Sequence, residues 1–181
     1  MNINWIVTPH YCPQFDMQQV APVWGSDTAW HKMPVDNVIC YDFDRAFDLI
    51  SRNAQVRCNL WLPEKHFANL DRPAGINLFG GKFAEQVIYT EEIVAMHLVA
   101  SSSDIVLLAG FDLSDSDKGD EFDDHLHNNY LKNVKRVIAE HADTQWVLLD
   151  HKSPKHGLFD SLPNLLGDSS GNVKNTLSML V

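Results

Sequence analysis

The chain has 181 residues, of which 45% are hydrophobic and 21% charged, with a formal net charge of −10. That size and composition suit one globular domain with a sizeable core. The scattered Lys and Arg and the acidic balance exclude non-specific nucleic-acid binding, and no apolar run is long enough for a membrane span. MNINWIVTPH has no basic region followed by an apolar one, so no secretory signal is expected. Cys12, Cys40 and Cys58 are far apart and form no CxxC pair, which argues against a disulfide framework or a cysteine zinc site and for a reduced, cytoplasmic protein.

Five segments read as strands: Ile3–Thr8, Asn37–Tyr41, Val56–Leu62, Asp104–Phe111 and Gln145–Asp150. INWIVT, DIVLLAGF and TQWVLLD are almost continuously apolar, as strands covered on both faces are. The segments Pro9–Pro34 and Asp71–Gln86 are rich in Pro and Gly and read as long loops with short helical pieces, of the kind that shape binding sites. DRAFDLISR places Ala46, Phe47, Leu49 and Ile50 at apolar helical positions behind Asp44 as N-cap. In TEEIVAMHLVASSS, Thr90 is the expected cap, with Glu91 and Glu92 in the first turn, where the helix dipole favours negative charge. NNYLKNVKRVIAEHAD is the clearest helix. Tyr130, Leu131, Val134, Val137, Ile138 and His141 form one stripe, and Lys132, Lys135, Arg136 and Glu140 face away. A last short helix is expected over Asn172–Leu180.

Strands alternating with helices predict a single α/β domain with a Rossmann-like, open, mainly parallel sheet flanked by helices. In such sheets ligands bind beyond the carboxyl ends of the strands. Those ends carry Thr8 and His10, Asp42 and Asp44, Gly110 and Asp112, then Asp150 and His151. Each acid or histidine there could also serve only to cap a turn or helix.

Beyond Phe111 the chain turns acidic. Asp112, Asp115, Asp117, Asp120, Glu121, Asp123 and Asp124 surround the lone Lys118. The spacing does not meet the EF-hand requirement, and a solvated turn leading into a helix accounts for most of it, so no metal site is assigned. His125 and His127 follow. On a helix they diverge by about 200°, which disfavours joint metal ligation but leaves either one able to act as an acid or base near neutral pH. His151, Lys152, Lys155 and His156 form the one local basic cluster, expected to pair with the acidic segment. Trp5, Trp61 and Trp146 lie in strand patterns and should be core, whereas Trp24 and Trp30 fall in a loop, where stacking on a ligand or partner is open to them. No GxSxG, P-loop, HExxH or catalytic-cysteine signature is present.

VIYTEEIVAMHLVASSSDIVLLAGFDLS resembles the segment of bacterial sialyltransferases, and of related transferase-like proteins, in which a helix precedes a strand ending near Gly110, Phe111 and Asp112. NYLKNVKRVIAEHADTQWVLLDHKSPKHGLFDSLPNL is similar to the terminal unit of that family, which ends in Leu162, Pro163, Asn164 and Leu165. Only the second half of the chain carries the likeness. The resemblance implies a Rossmann-like domain that binds a cytidine-monophosphate sugar at the carboxyl edge of its sheet. It implies a histidine base, matched here by His125 or His127; a base is needed because a sugar hydroxyl is a poor nucleophile. Beside that base, Asp112 is expected to orient acceptor or donor. Thr8, His10, Asp42, Gly110, Asp150 and His151 are the expected ligand contacts, with no further cofactor. The expected function is thus a nucleotide- or nucleotide-sugar-binding, glycosyltransferase-like domain, active or catalytically degenerate. The competing expectation is a non-enzymatic phage or viral accessory or virion protein, acting through a protein partner or as a homo-oligomer. It draws on the absence of any glycine between the first strand and Gly25, and of tyrosine in the acidic segment.

Overall fold

Apolar runs without polar alternation need cover on both faces, and a parallel sheet between helices supplies it. The computed structural model describes residues 1–9, 21–67, 74–80, 90–113, 121–149 and 157–168. Its strands are β1 (Ile3–Val7), β2 (Val23–Ser26), β3 (Asn37–Ile39), β4 (Asn59–Pro63), β5 (Ile76–Phe79), β6 (Ile105–Ala109), β7 (Gln145–Leu149) and β8 (Leu165–Asp168). They form one sheet in the order β5-β4-β3-β2-β1-β6-β7-β8, and every neighbouring pair is parallel. The fold is an open, Rossmann-like α/β sheet.

The helices are α1 (Asp27–Trp30), α2 (Phe43–Ser51), α3 (Glu64–Phe67), α4 (Glu91–Ala100) and α5 (Glu121–Glu140). Successive strand residues point to opposite faces and so build two cores. Trp5, Val7, Val38, Leu60 and Leu107 pack with Ala29 of α1 and Ala46 and Leu49 of α2. Ile6, Ile39, Val106, Leu108 and Trp146 pack on the other face with Ile93 and Met96 of α4 and Leu131, Val134 and Ile138 of α5. Truncating a wholly buried residue such as Leu107 to Ala would cost about 2–5 kcal/mol. The chain steps outward from β1 to β5 with α1 and α2 on one face. It then returns under α4, on the opposite face, to lay β6 against β1. Right-handed crossovers require that change of face when the direction of travel reverses. The tips of β1 and β6 are therefore the topological switch point, where open α/β sheets leave a crevice.

Several local expectations need correction. Val56 lies in a 3-10 turn (Ala54–Val56), and β4 starts only at Asn59. The two stretches read as loops contain the strands β2 and β5, while α1 is a short helical piece of the kind expected in the first. Trp24 is accordingly a buried strand residue: its indole N–H donates to Asn4 Oδ1 at 3.0 Å, and its ring meets Trp61 at 5.3 Å. Trp30 lies in α1, and Trp61 is only partly buried. Asp42, not Asp44, caps α2. Its backbone is extended and its carboxylate accepts the Arg45 N–H at 2.9 Å, while Asp44 sits two residues further in, inside the helix. Phe47 faces outward, 58% exposed and stacked on Phe43. The expected helix at Asn172–Leu180 lies outside the described residues.

Candidate functional site

Because all the strands run in parallel, their carboxyl tips share one rim. At its centre β1 ends beside β6: the Thr8 N–H donates to Ala109 O at 3.1 Å, and Thr8 Oγ1 donates to Gly110 O at 2.9 Å. Gly110 has φ +77°, a left-handed conformation that L side chains avoid, so glycine is needed where the chain leaves β6. The next three residues alternate. Phe111 and Leu113 are buried in the α4–α5 core, and Asp112 between them is exposed.

These groups border a cleft of about 560 Å³ lined by Thr8, Pro9, Glu92, Gly110, Asp112, His127 and Tyr130. Glu92 comes from the first turn of α4. That helix is apolar nearly all round and buried from Ile93 to Met96, which fixes its N-terminus against the rim. His127 and Tyr130 come from α5. They lie three residues apart on one helix face, with ring centroids 6.3 Å apart and planes tilted by 25°. Burial, and then the charges of Glu92 and Asp112, push the Tyr130 hydroxyl well above its usual range, so the phenol stays protonated and able to donate.

Of the residues expected to act, Thr8, Gly110, Asp112 and His127 meet around this cleft. Asp42 sits on the same rim but caps α2. His125 points away into solvent, its Nε2 3.3 Å from Asn129 Nδ2. His10, Asp150, His151, the basic cluster at 151–156 and most of the acidic segment lie outside the described residues. By sequence pattern alone Glu92 belongs to the helix dipole and Tyr130 to the core stripe, and neither reads as a site residue. The stripe itself held the clue, since His127 and Tyr130 continue it backwards from Val134.

A second hollow, of about 400 Å³, lies between α1 and α2 and is lined by Asp27, Thr28, His31, Asp44, Arg45, Asp48 and Leu49. Asp27 follows β2 directly. Its side chain is 7% exposed and accepts from Arg45 Nη1 at 3.3 Å, while the Arg45 side chain is 60% exposed. Gly25 lets α1 sit this close, because a Cβ there would lie 3.1 Å from both Ala29 Cβ and Val7 Cγ2.

No protein-family model, curated protein or solved structure matches the chain. Among the described residues, no three His, Cys, Asp or Glu side chains are arranged to hold a metal ion, and no helix is long and apolar enough to cross a membrane. The switch-point cleft offers two carboxylates that accept hydrogen bonds from hydroxyls, a phenol that donates, and an imidazole that can take or give a proton.

Proposed function

We propose that the protein binds a nucleotide or nucleotide-sugar in the switch-point cleft, as a glycosyltransferase-like domain. The observation that carries this is the meeting of Asp112, His127 and Tyr130 with Thr8 at the adjoining tips of β1 and β6, the position where open parallel sheets bind ligands. Carboxylates beside a protonated phenol suit the ring hydroxyls of a sugar, which donate and accept at once. In a transfer reaction His127 takes the proton of the acceptor hydroxyl as its oxygen bonds to the anomeric carbon. The bond from that carbon to the phosphate oxygen breaks, and the nucleotide leaves with the electron pair. Asp112 holds the acceptor hydroxyl in line.

The test is a thermal-shift series with cytidine and uridine nucleotides and their sugar conjugates, with and without Mg²⁺. Ligand at a hundredfold over its Kd should stabilise the fold by about 2.7 kcal/mol. Asp112→Asn and His127→Ala are expected to diminish the shift, and His125→Ala to leave it unchanged. No shift with any nucleotide or sugar would overturn the assignment and favour a protein that acts through macromolecular contacts.

A further inference from the structure

The hollow beside α1 stands in a definite relation to the cleft. β2 is the neighbour of β1 on the side away from β6, so the residue after β2 lies one strand from the switch point. In dinucleotide-binding sheets, where the turn after β1 is glycine-rich as it is not here, an acid at that place accepts a ribose hydroxyl. Asp27 occupies it. Glu92, in the first turn of α4, lines the cleft.

The Asp27 carboxylate is held as a diol acceptor should be. Arg45 fixes Oδ2 at 3.3 Å, and the Thr28 hydroxyl is 3.5 Å from Oδ1, a long contact that a better donor could displace. Arg45 is the solvent-exposed member of the pair and lines the same hollow. A carboxylate offers two oxygens to the two hydroxyls of a vicinal diol.

We propose that Asp27, oriented by Arg45, binds the vicinal diol of a ribonucleoside lying between α1 and α2, with the remainder of the ligand reaching the switch-point cleft. This rests on the nucleotide reading above and adds to it that the ligand carries ribose rather than deoxyribose. The experiment is calorimetric titration of the full chain with the cytidine, uridine, adenosine and guanosine monophosphates and the matched 2′-deoxy compounds. For whichever base binds, removing the 2′-hydroxyl should weaken binding by about tenfold or more, the worth of one hydrogen bond to a charged group. Asp27→Asn should collapse that ratio, because it turns half of the acceptor into a donor. Arg45→Lys keeps a cation beside Asp27 but loses the fixed fork, and should narrow the ratio in the same sense if Asp27→Asn does not fold. Equal affinity for ribose and deoxyribose ligands would overturn the diol site and leave the nucleotide reading standing. A ratio unmoved in a folded Asp27→Asn would remove Asp27 from it. Binding of none of these compounds, together with no thermal shift from any nucleotide-sugar, would overturn both.

Discussion

The Thr8 hydroxyl donates to the carbonyl of Gly110 at 2.9 Å and joins the ends of two strands that are 102 residues apart in the chain. Thr8 is 6% exposed, so water cannot easily replace the bond. Thr8→Val keeps the shape and removes the donor, and is expected to cost about 1–2 kcal/mol in urea unfolding. Thr8→Ser should fall between it and the wild type. A Thr8→Val protein within about 0.5 kcal/mol of wild type would show that the bond contributes nothing to holding the rim. Gly110→Ala should cost about 1–2 kcal/mol for a separate reason, the left-handed φ at that residue.

Asn164 belongs to the Leu-Pro-Asn-Leu stretch of residues 162–165, and its role there is mechanical. Its Nδ2 donates to the carbonyls of Ile138, His141 and Thr144 at 3.1, 3.2 and 3.1 Å. The end of α5 and the turn after it thus find a donor for carbonyls that the helix leaves open. Its own carbonyl accepts Trp146 N–H at 2.8 Å, which sets the register of β8 on β7. Asn164→Ala should cost about 2 kcal/mol. Asn164→Asp should be worse at neutral pH, because an anion then faces three carbonyl oxygens, and should recover in acid as the carboxyl gains a proton to donate. Urea midpoints for both variants across pH check this, and an Asp variant better tolerated than Ala would refute it.

The legible part of the fold was the part with strong local pattern. β1, β6 and β7 are continuous apolar runs, and runs of that kind demand cover on both faces whatever surrounds them. Once they are parallel, Thr8, Gly110 and Asp112 share a rim by geometry alone. β2, β5 and β8 have four residues each, and β2 and β8 are interrupted by Gly25 and Gly167. They owe their conformation to ladder partners that composition does not reveal. The choice between His125 and His127 turns on the rotation of α5 about its axis. The apolar stripe fixes that rotation, and spacing of three and seven residues from Tyr130 and Val134 selects His127. Asp27 was hidden because β2 was hidden.

Buried thiols give a chemical check on the sheet. Burial, with Asp27 and Glu91 nearby, pushes Cys40 up to about 12, and burial with Asp36 pushes Cys58 up to about 11. The Cys40 Sγ lies 3.5 Å from Asp42 O, and the Cys58 Sγ lies 3.3 Å from Ala54 O. Since the thiolate is the nucleophile, alkylation of Cys40 at mildly alkaline pH should be slower than that of an ordinary thiol by about a thousandfold. Mass-spectrometric mapping after iodoacetamide should find both residues unmodified in the native protein and modified in urea. Rapid native labelling of Cys40 would contradict its burial in the core that includes Ala46 and Leu49 of α2.

Glu91 should make stability fall as pH rises. The residue is half-buried, and burial lifts its carboxyl above the ordinary glutamate range; the charges of Glu92 and Asp27 add to the lift, and Arg45 and a backbone hydrogen bond oppose it. The folded chain therefore holds this proton to higher pH than the unfolded chain does. Between the ordinary value and the raised one the native state binds more protons, so the free energy of unfolding declines across that window, and the full penalty persists above it. Glu91→Gln removes the titration. The variant should match the wild type in acid below the window, gain on it as pH rises, and hold a constant advantage at neutral pH. Urea unfolding of the two proteins across the acidic range gives the difference curve directly. A Gln variant that loses stability at neutral pH would mean that the ionised carboxylate is held by favourable partners after all. The α4 terminus would then be an anchored charge between Asp27 and the switch-point cleft, not a strained one.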